Sequence, residues 1–190
     1  MRVISGEARG RPLKAVPGQT TRPTTDKVKE ALFSMIGPYF DGERVLDLFA
    51  GTGGLGIEAL SRGAGHAVFV DANMRSIEVV RANLAATRFE AKAEVFRQDA
   101  VKAIKLLEQR GAGPFELIFL DPPYAMKNCD ELLLELAARG LANEDTVAVI
   151  EHESGFEYGE KIGGYERRRL ATYGETAVSI YRSIDTEENI

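Results

Sequence analysis

Residues 46–60 read LDLFAGTGGLGIEAL, an apolar run followed by a glycine-rich turn and a second apolar stretch. Gly51, Gly53 and Gly56 have the spacing G-x-G-x-x-G, which lets a backbone approach a ligand closely at the start of a helix. The stretch therefore predicts a strand, a tight loop and the amino terminus of a helix. A purely structural turn remains an alternative, and the spacing fits a dinucleotide and any other adenosine cofactor equally well.

Apolar runs and helical patterns alternate on both sides of this stretch, from residue 24 to residue 150. Such alternation is typical of βαβ units and a parallel sheet. The predicted strands cover residues 44–50, 67–72, 93–100, 115–121 and 146–152. We therefore predict an α/β fold with a doubly wound, Rossmann-like and mostly parallel sheet.

Both ends of the chain break the alternation. YERRRLATYG and ETAVSIYRS meet at Gly174-Glu175 with no room for a helix, which predicts an antiparallel hairpin at one edge of the sheet. MRVIS and RPLKAV flank Gly6 to Gly10, which predicts a small β-hairpin outside the main sheet. The expected organisation is a basic N-terminal hairpin extension over residues 1–23, one domain over 24–183 and an acidic tail over 184–190.

Length and composition agree with a single compact domain. The chain has 190 residues, 44% of them hydrophobic, which suffices for one substantial core. A single cysteine, Cys129, cannot form an internal disulfide, and with two histidines we expect no metal cluster. The first residues lack the apolar core of a signal peptide and no run of 18 apolar residues occurs, so we expect a cytoplasmic protein without a membrane partner.

Charge is distributed unevenly along the chain. Residues 1–30 carry a formal charge of +4, whereas the rest carries −9, within a total of −5. A basic arm on an acidic body suggests a local anionic partner such as nucleic acid, although an ordinary solvated segment would have the same composition. Because few phosphates would be neutralised, we expect weak binding to naked RNA.

Two acids mark the ends of the first two predicted strands. Asp47 precedes Gly51 by four residues, where a carboxylate is a poor neighbour for pyrophosphate and a good one for cations. Asp71 ends the second strand, where an acid can accept hydrogen bonds from both ribose hydroxyls. S-adenosylmethionine has a ribose, an ammonium and a sulfonium, so Asp47 favours this cofactor over a dinucleotide.

Residues 117–124 read LIFLDPPY and place Asp121, Pro122, Pro123 and Tyr124 at the carboxyl end of the fourth predicted strand. Prolines lack an N–H and fix φ, so this loop presents a rigid set of acceptors. If Asp121 and the Pro122 carbonyl accept the two hydrogens of a planar amine, lone-pair density returns to its nitrogen, and Tyr124 offers a face for an extruded base. A strand stopped by two prolines is the structural alternative.

The glycine stretch resembles the first motif of class I S-adenosylmethionine-dependent methyltransferases, and DPPY resembles the catalytic motif of amino-methyltransferases. Related tetrapeptides serve adenine N6 and cytosine N4 in DNA, guanine N2 in RNA and glutamine amides in proteins. The stretch MRVISGEARGRPLKAVPGQTTRPTTDKVKEALFSMI, with LDLFAGTG, EALSRGA and FLDPPY, is similar to the RsmD family of bacterial 16S rRNA guanine-N2 methyltransferases over residues 1–183. Residues 24–183 would then be the class I methyltransferase domain.

The resemblance implies methyl transfer from S-adenosylmethionine to one guanine N2 in 16S rRNA, within the 30S subunit or a late assembly particle. We expect a monomer. The resemblance also implies a cofactor site formed by Asp47, Phe49, Ala50, Gly51, Gly53, Asp71 and Asp99. It implies a catalytic site formed by Asp121, Pro122, Pro123 and Tyr124. Substrate contacts are expected from Arg9, Arg11, Lys14, Arg22 and Thr24. Tyr124 departs from members with Phe at this position, but either ring can stack on a base.

Several alternatives remain open from the sequence. Asp99 and Asp71 would also serve as helix N-caps, and Arg22-Pro23-Thr24 as a capping turn. An adenine-N6 DNA methyltransferase shares DPPY but normally needs a separate target-recognition region, for which this chain is short. A non-catalytic or NAD-dependent Rossmann protein is disfavoured by Asp47 and by DPPY.

Overall fold

The computed structural model describes residues 1–18 and 25–185. The helices in these ranges are α1 (Asp26–Ile36), α2 (Gly54–Ser61), α3 (Met74–Thr87), α4 (Ala100–Gln109) and α5 (Cys129–Ala138). The strands are β1 (Arg44–Asp47), β2 (His66–Asp71), β3 (Ala93–Arg97), β4 (Leu117–Leu120), β5 (Val147–Glu153), β6 (Lys161–Ile162), β7 (Tyr165–Tyr173) and β8 (Thr176–Ser183). In the described part of the chain, none of the helices has the length and apolar character needed to cross a lipid bilayer.

The strands form one mixed sheet in the order β3-β2-β1-β4-β5-β8-β7-β6. Strands β1 to β5 pair with one another in parallel, whereas β8 pairs antiparallel with both β5 and β7. The chain order reverses around β1, which lies between β2 and β4. The predicted mostly parallel Rossmann-like sheet with a C-terminal antiparallel hairpin is therefore confirmed, with the short β6 as an unpredicted addition.

Both faces of the sheet are covered, which explains why the central strands are continuous apolar runs. Alternate strand residues such as Val45 and Phe119 pack under α1, α2 and α3, whereas their neighbours Leu46 and Ile118 pack under α4 and α5. Gly56 allows the close approach of α2, because a Cβ at this position would lie 2.4 Å from the Phe69 ring. The glycine loop is thereby held directly against the carboxyl ends of β1 and β2.

The N-terminal segment differs in one respect from the predicted extension. Its described part, residues 1–18, does not pair with the sheet, and its two arms meet through one antiparallel bridge, Arg2 to Pro12. However, Val3, Ala8 and Leu13 are buried in the core beside α1 and α2. These regularly spaced apolar side chains gain more by joining the core than by remaining outside it, so the segment packs as part of the body. The predicted boundary at residue 23 lies outside the described residues.

A buried network of ion pairs and hydrogen bonds holds the N-terminal segment against α1 and α2. The Glu58 carboxylate on α2 accepts hydrogen bonds from the backbone N–H groups of Ile4 (2.8 Å) and Ser5 (3.2 Å). It also lies 3.3 Å from Lys29 Nζ on α1 and 3.0 Å from Arg62 Nε, and the side chains of all three are nearly inaccessible to solvent. Burial lowers the pKa of Lys29, and the Glu58 carboxylate partly opposes this shift. The Glu58 carboxylate therefore takes the place of water as the partner of two cations and two backbone donors.

Candidate functional site

The carboxyl ends of the parallel strands meet along one edge of the sheet. Asp47 ends β1 and Asp71 ends β2, while Asp121 follows the last residue of β4. Because β1 lies between β2 and β4, the glycine loop and the Asp-Pro-Pro-Tyr loop are neighbours. This is the crevice in which open α/β sheets bind their ligands.

The Asp71 carboxylate holds the glycine loop by accepting hydrogen bonds from backbone N–H groups. The Gly51 N–H donates to Asp71 Oδ2 (2.9 Å), and the Asn73 N–H donates to Asp71 Oδ1 (2.9 Å). Gly51 and Gly53 have φ of 56° and 81°, which favour glycine, and Gly53 is the N-cap of α2. A Cβ on Gly51 would meet no heavy atom within 4 Å, so the backbone here borders open space. Ala50, just before it, is buried.

Asp47 is an acid enclosed by the protein. Its residue is only 1% exposed, and its Oδ2 accepts a hydrogen bond from the Gly56 N–H at 3.1 Å. Burial raises the pKa of Asp47 to about 7, and the hydrogen bond from Gly56 only partly counteracts this shift. In the structure described, the carboxyl group therefore gains a proton near neutral pH unless a cation stabilises its charge.

Asp99 and Phe49 are the remaining predicted cofactor residues. Asp99 follows β3 and is the N-cap of α4, with its Oδ1 accepting a hydrogen bond from the Lys102 N–H at 3.0 Å. The capping role anticipated as an alternative is therefore present, and the side chain stays exposed. Phe49 is partly buried and packs against the core under α4 and α5. Asp71 does not cap α3, because Asn73 does.

The Asp-Pro-Pro-Tyr loop combines one enclosed carboxyl group with one exposed ring. Burial is the main cause that raises the pKa of Asp121 well above its ordinary value, and Glu151 raises it further by charge and by a hydrogen bond. The Pro123 carbonyl accepts a hydrogen bond from the Met126 N–H (2.9 Å), which closes a turn after the motif. Tyr124 is 37% exposed, and its hydroxyl is 2.6 Å from Thr176 Oγ1 on β8. The C-terminal hairpin thus holds the outer edge of this ring.

Two of the predicted substrate-contacting residues lie away from this edge. Arg9 and Arg11 are exposed on the turn of the N-terminal segment. That turn is fastened to the carboxyl end of α2, where the Ser61 carbonyl accepts from the Glu7 N–H at 2.8 Å. Arg11 also donates to the Ala86 carbonyl on α3 at 3.3 Å. Since α2 has eight residues, the point at which this turn is held lies about 12 Å from the glycine loop along the helix axis.

Lys14 lies beside the glycine loop because of a residue that the sequence did not single out. Asn83 on α3 is buried, and its side chain accepts from the Lys14 N–H (2.8 Å) and donates to the Lys14 carbonyl (3.1 Å). The same Nδ2 donates to the Thr52 carbonyl at 2.8 Å, so Asn83 joins the N-terminal segment to the loop. In the sequence, a polar residue within the apolar stripe of α3 was the only indication of this role for Asn83. Arg22 and Thr24 lie outside the described residues.

The comparisons with known proteins identify the family. A family model described as conserved hypothetical protein 95 matches residues 1–182. YlbH of Bacillus subtilis, named provisionally as an rRNA methyltransferase, is 50% identical over 182 residues, which cover 96% of this chain and 98% of YlbH. Ribosomal RNA small subunit methyltransferase D of Escherichia coli K12 is 33% identical over 153 residues, covering 80% of this chain and 75% of that protein. This chain belongs to the RsmD family.

Solved structures of relatives extend the agreement to three dimensions. The Escherichia coli protein yhhF superposes with a TM-score of 0.82 at 29% identity, covering 96% of this chain and 97% of that chain. A conserved hypothetical protein of Streptococcus pyogenes gives a TM-score of 0.77 at 39% identity, covering 81% of this chain and 94% of that chain. The predicted resemblance to the RsmD family and the predicted methyltransferase fold are therefore confirmed.

One further acid at the edge of this RsmD-family sheet was missed. Glu151 lies on β5, and its carboxyl group is hydrogen-bonded to Asp121. An acid near the end of the fifth predicted strand was visible in the sequence. That β5 lies next to β4 was not, because strand order is a property of the assembled sheet.

Proposed function

We propose that this protein transfers a methyl group from S-adenosylmethionine to the exocyclic N2 amine of a guanine in 16S rRNA. The observation that carries the proposal is the adjacency of β1 and β4, which brings the glycine loop and Asp121-Pro122-Pro123-Tyr124 together at one edge. Membership of the RsmD family supports S-adenosylmethionine-dependent methylation of rRNA. The small-subunit name of the Escherichia coli relative supports 16S rRNA as the target.

The residues at the edge fit this cofactor. The open space beside the Gly51 backbone admits a ligand, and both oxygens of Asp71 are oriented by backbone N–H groups with lone pairs left for ribose hydroxyls. Asp47 is an enclosed acid whose charge a neighbouring ammonium or sulfonium would stabilise. When bound, S-adenosylmethionine supplies an electrophilic methyl group whose bond to sulfur breaks with the electron pair remaining on sulfur.

The catalytic loop prepares the accepting amine. The amine of guanine is nearly planar because its lone pair is delocalised into the ring. In our proposal Asp121 and the Pro122 carbonyl accept its two hydrogens, which returns lone-pair density to the nitrogen and fixes its direction. The exposed ring of Tyr124, held by Thr176, stacks on the extruded base.

The substrate is proposed to be the 30S subunit or a late assembly particle, with the protein acting as a monomer. Exposed Arg9 and Arg11 belong to a turn that is held at the carboxyl end of α2, opposite the glycine loop, so they would contact phosphates distant from the target base. Such sparse contacts on an acidic body predict modest affinity for naked RNA. Shape recognition of the particle would then supply specificity.

The experiment that tests the function is methyl transfer from labelled S-adenosylmethionine to unmodified 30S subunits, naked 16S rRNA and plasmid DNA in parallel. Nucleoside mass spectrometry identifies the product. We expect N2-methylguanosine, and more of it from subunits than from naked rRNA. N6-methyladenine from the DNA would instead support the adenine-N6 DNA methyltransferase, and absence of cofactor binding would support a non-catalytic nucleotide-binding protein.

Cofactor affinity is expected to fall as the pH is lowered below 7. A cation binds the ionised form of Asp47, whose pKa in the free protein is raised to about 7 by burial. Below that pH the carboxyl group must first lose its proton, so the Kd for S-adenosylmethionine should rise by up to about tenfold per pH unit. Calorimetry between pH 6 and 8, in buffers of different ionisation enthalpy, should detect proton release on binding.

The Asp47→Asn variant is the control for this dependence. The asparagine can still accept the Gly56 N–H, and it removes the cost of burying a charge above pH 7. We therefore expect a variant that is at least as stable as the wild type at pH 8, yet binds S-adenosylmethionine more weakly and without the pH dependence. A wild-type affinity that stays constant from pH 6 to 8 would contradict the role given to Asp47.

A further inference from the structure

Asp121 and Glu151 are side by side because of the strand register. Leu120 on β4 is paired with Ile150 on β5 in a parallel arrangement, so the residues that follow each of them are neighbours on the same face. Val149, two residues before Glu151, points into the core under α1, α2 and α3, and Glu151 is only 7% exposed. The two carboxyl groups are hydrogen-bonded to each other.

A hydrogen bond between two carboxyl groups requires a proton on one of them. Two ionised carboxylates in contact repel each other, and in an enclosed site this repulsion is hardly screened. Both burial and Glu151 raise the pKa of Asp121 well above its ordinary range. The pair therefore still holds one proton and one negative charge at pH values at which a free aspartate is already ionised.

The surrounding groups do not remove the need for this proton. They are Asp47 on β1, Cys129 on α5, Lys127 and Tyr124 in the loop after β4, His152 and Glu153 on β5, and Tyr158 beyond it. Lys127 lies 3.5 Å from Glu153, which compensates its charge. Burial raises the pKa of the Cys129 thiol to about 12, so it stays neutral, and the His152 ring is bonded to Ser179 and to the Glu153 carbonyl.

We propose that Glu151 is a positioning residue that shares one proton with Asp121 and, when the target amine is bound, donates it in a hydrogen bond to Asp121. Asp121 is then ionised, its orientation is fixed, and its other oxygen is left to accept a hydrogen from the target amine. In the free protein the raised pKa of Asp121 places the shared proton on Asp121 and the negative charge on Glu151, and the amine hydrogen that Asp121 must accept moves this proton to Glu151. The inference rests on the proposed function, since Asp121 has this task only if it receives an amine.

The same pair accounts for the proton that the reaction releases. The amine nitrogen gains a methyl carbon and must lose one of its two protons. Asp121 accepts that proton, after which the pair holds two protons and no net charge. One proton then passes to solvent through the cleft lined by Tyr124 and Lys127, and the singly charged pair is restored.

The test compares Glu151→Gln with Glu151→Ala. The glutamine amide can donate to Asp121, so the Gln variant should retain kcat within about threefold at pH 7, whereas the Ala variant removes the donor and should lose about 10- to 100-fold in kcat. The KM and calorimetric Kd for S-adenosylmethionine should be unchanged in both, which excludes unfolding. Glu94→Gln, at the amino end of β3 on the opposite edge of the sheet, is the matched control and should behave as the wild type.

The pH profile separates positioning from simple packing. At alkaline pH the wild-type pair loses its proton and Asp121 loses its donor, whereas the glutamine amide donates at every pH. The ratio of kcat for Glu151→Gln to that of the wild type should therefore rise from pH 6 to 8.5. If the Gln variant is as impaired as the Ala variant, Glu151 acts as an ionised base and the proposal is wrong.

Carbon-13 NMR of the aspartate carboxyl groups supplies a readout that does not depend on activity. Removing the negative partner should move the titration of Asp121 to lower pH in Glu151→Gln. An unchanged titration would overturn the shared proton. A wild type that methylates none of the three substrates would instead contradict the proposed function, so the two failures are distinguishable.

Discussion

Replacing Asp121 with alanine is expected to reduce kcat by about a thousandfold while the affinity for S-adenosylmethionine stays within about threefold. The carboxylate is the acceptor that we propose for one amine hydrogen, and alanine leaves that hydrogen without a partner during methyl transfer. The proposed cofactor residues Asp47 and Asp71 are on other strands and keep their hydrogen bonds. Single-turnover transfer to 30S subunits, together with calorimetry of cofactor binding, measures the two effects separately.

Two further variants make this result specific. Asp121→Asn retains one acceptor oxygen and is expected to keep more activity than Asp121→Ala. Asp145→Ala changes an exposed aspartate in the turn before β5 and should leave both kcat and cofactor affinity unchanged. Full methyl transfer by Asp121→Ala would mean that the amine is activated by another group.

Replacing Glu58 with alanine is expected to lower the free energy of unfolding by about 3–5 kcal/mol, the usual consequence of breaking a buried ion pair. The substitution leaves Lys29 and Arg62 without their buried counter-ion and removes the acceptor for the backbone N–H groups of Ile4 and Ser5. Urea denaturation at pH 7 measures the loss. Because α2 also carries the glycine loop at its amino end, where Gly53 is the N-cap, we also expect weaker cofactor binding.

The change of the unfolding free energy with pH can also be predicted. Burial lowers the pKa of Lys29 in the folded protein, so the unfolded chain binds more protons and stability rises with pH. Without Glu58 this lowering should be larger, and the variant should recover part of its lost stability between pH 7 and 10. Glu78→Ala, an exposed change on α3, should alter stability by no more than about 0.5 kcal/mol. Equal losses in the two variants would show that the network is not what stabilises this region.

The sequence by itself determined the parts of the fold that depend on short-range patterns. The run LDLFAGTGGLGIEAL predicted β1, the glycine loop and the start of α2, because glycine spacing and apolar periodicity are local properties. The turn at Gly174-Glu175 predicted the hairpin of β7 and β8 for the same reason. The resemblance carried by FLDPPY and the N-terminal stretch gave the family, which the comparisons confirm.

Only the tertiary structure decided which distant residues meet. Glu151 and Asp121 are 30 positions apart, and they touch because β5 pairs with β4 in one register. Glu58, Lys29 and the first residues of the chain form a network because Val3, Ala8 and Leu13 bury themselves beside α1 and α2. Such contacts depend on strand order and on the packing of the whole core, which local patterns do not encode. The residue types were therefore readable in advance, whereas the partners and the resulting pKa shifts came from the fold.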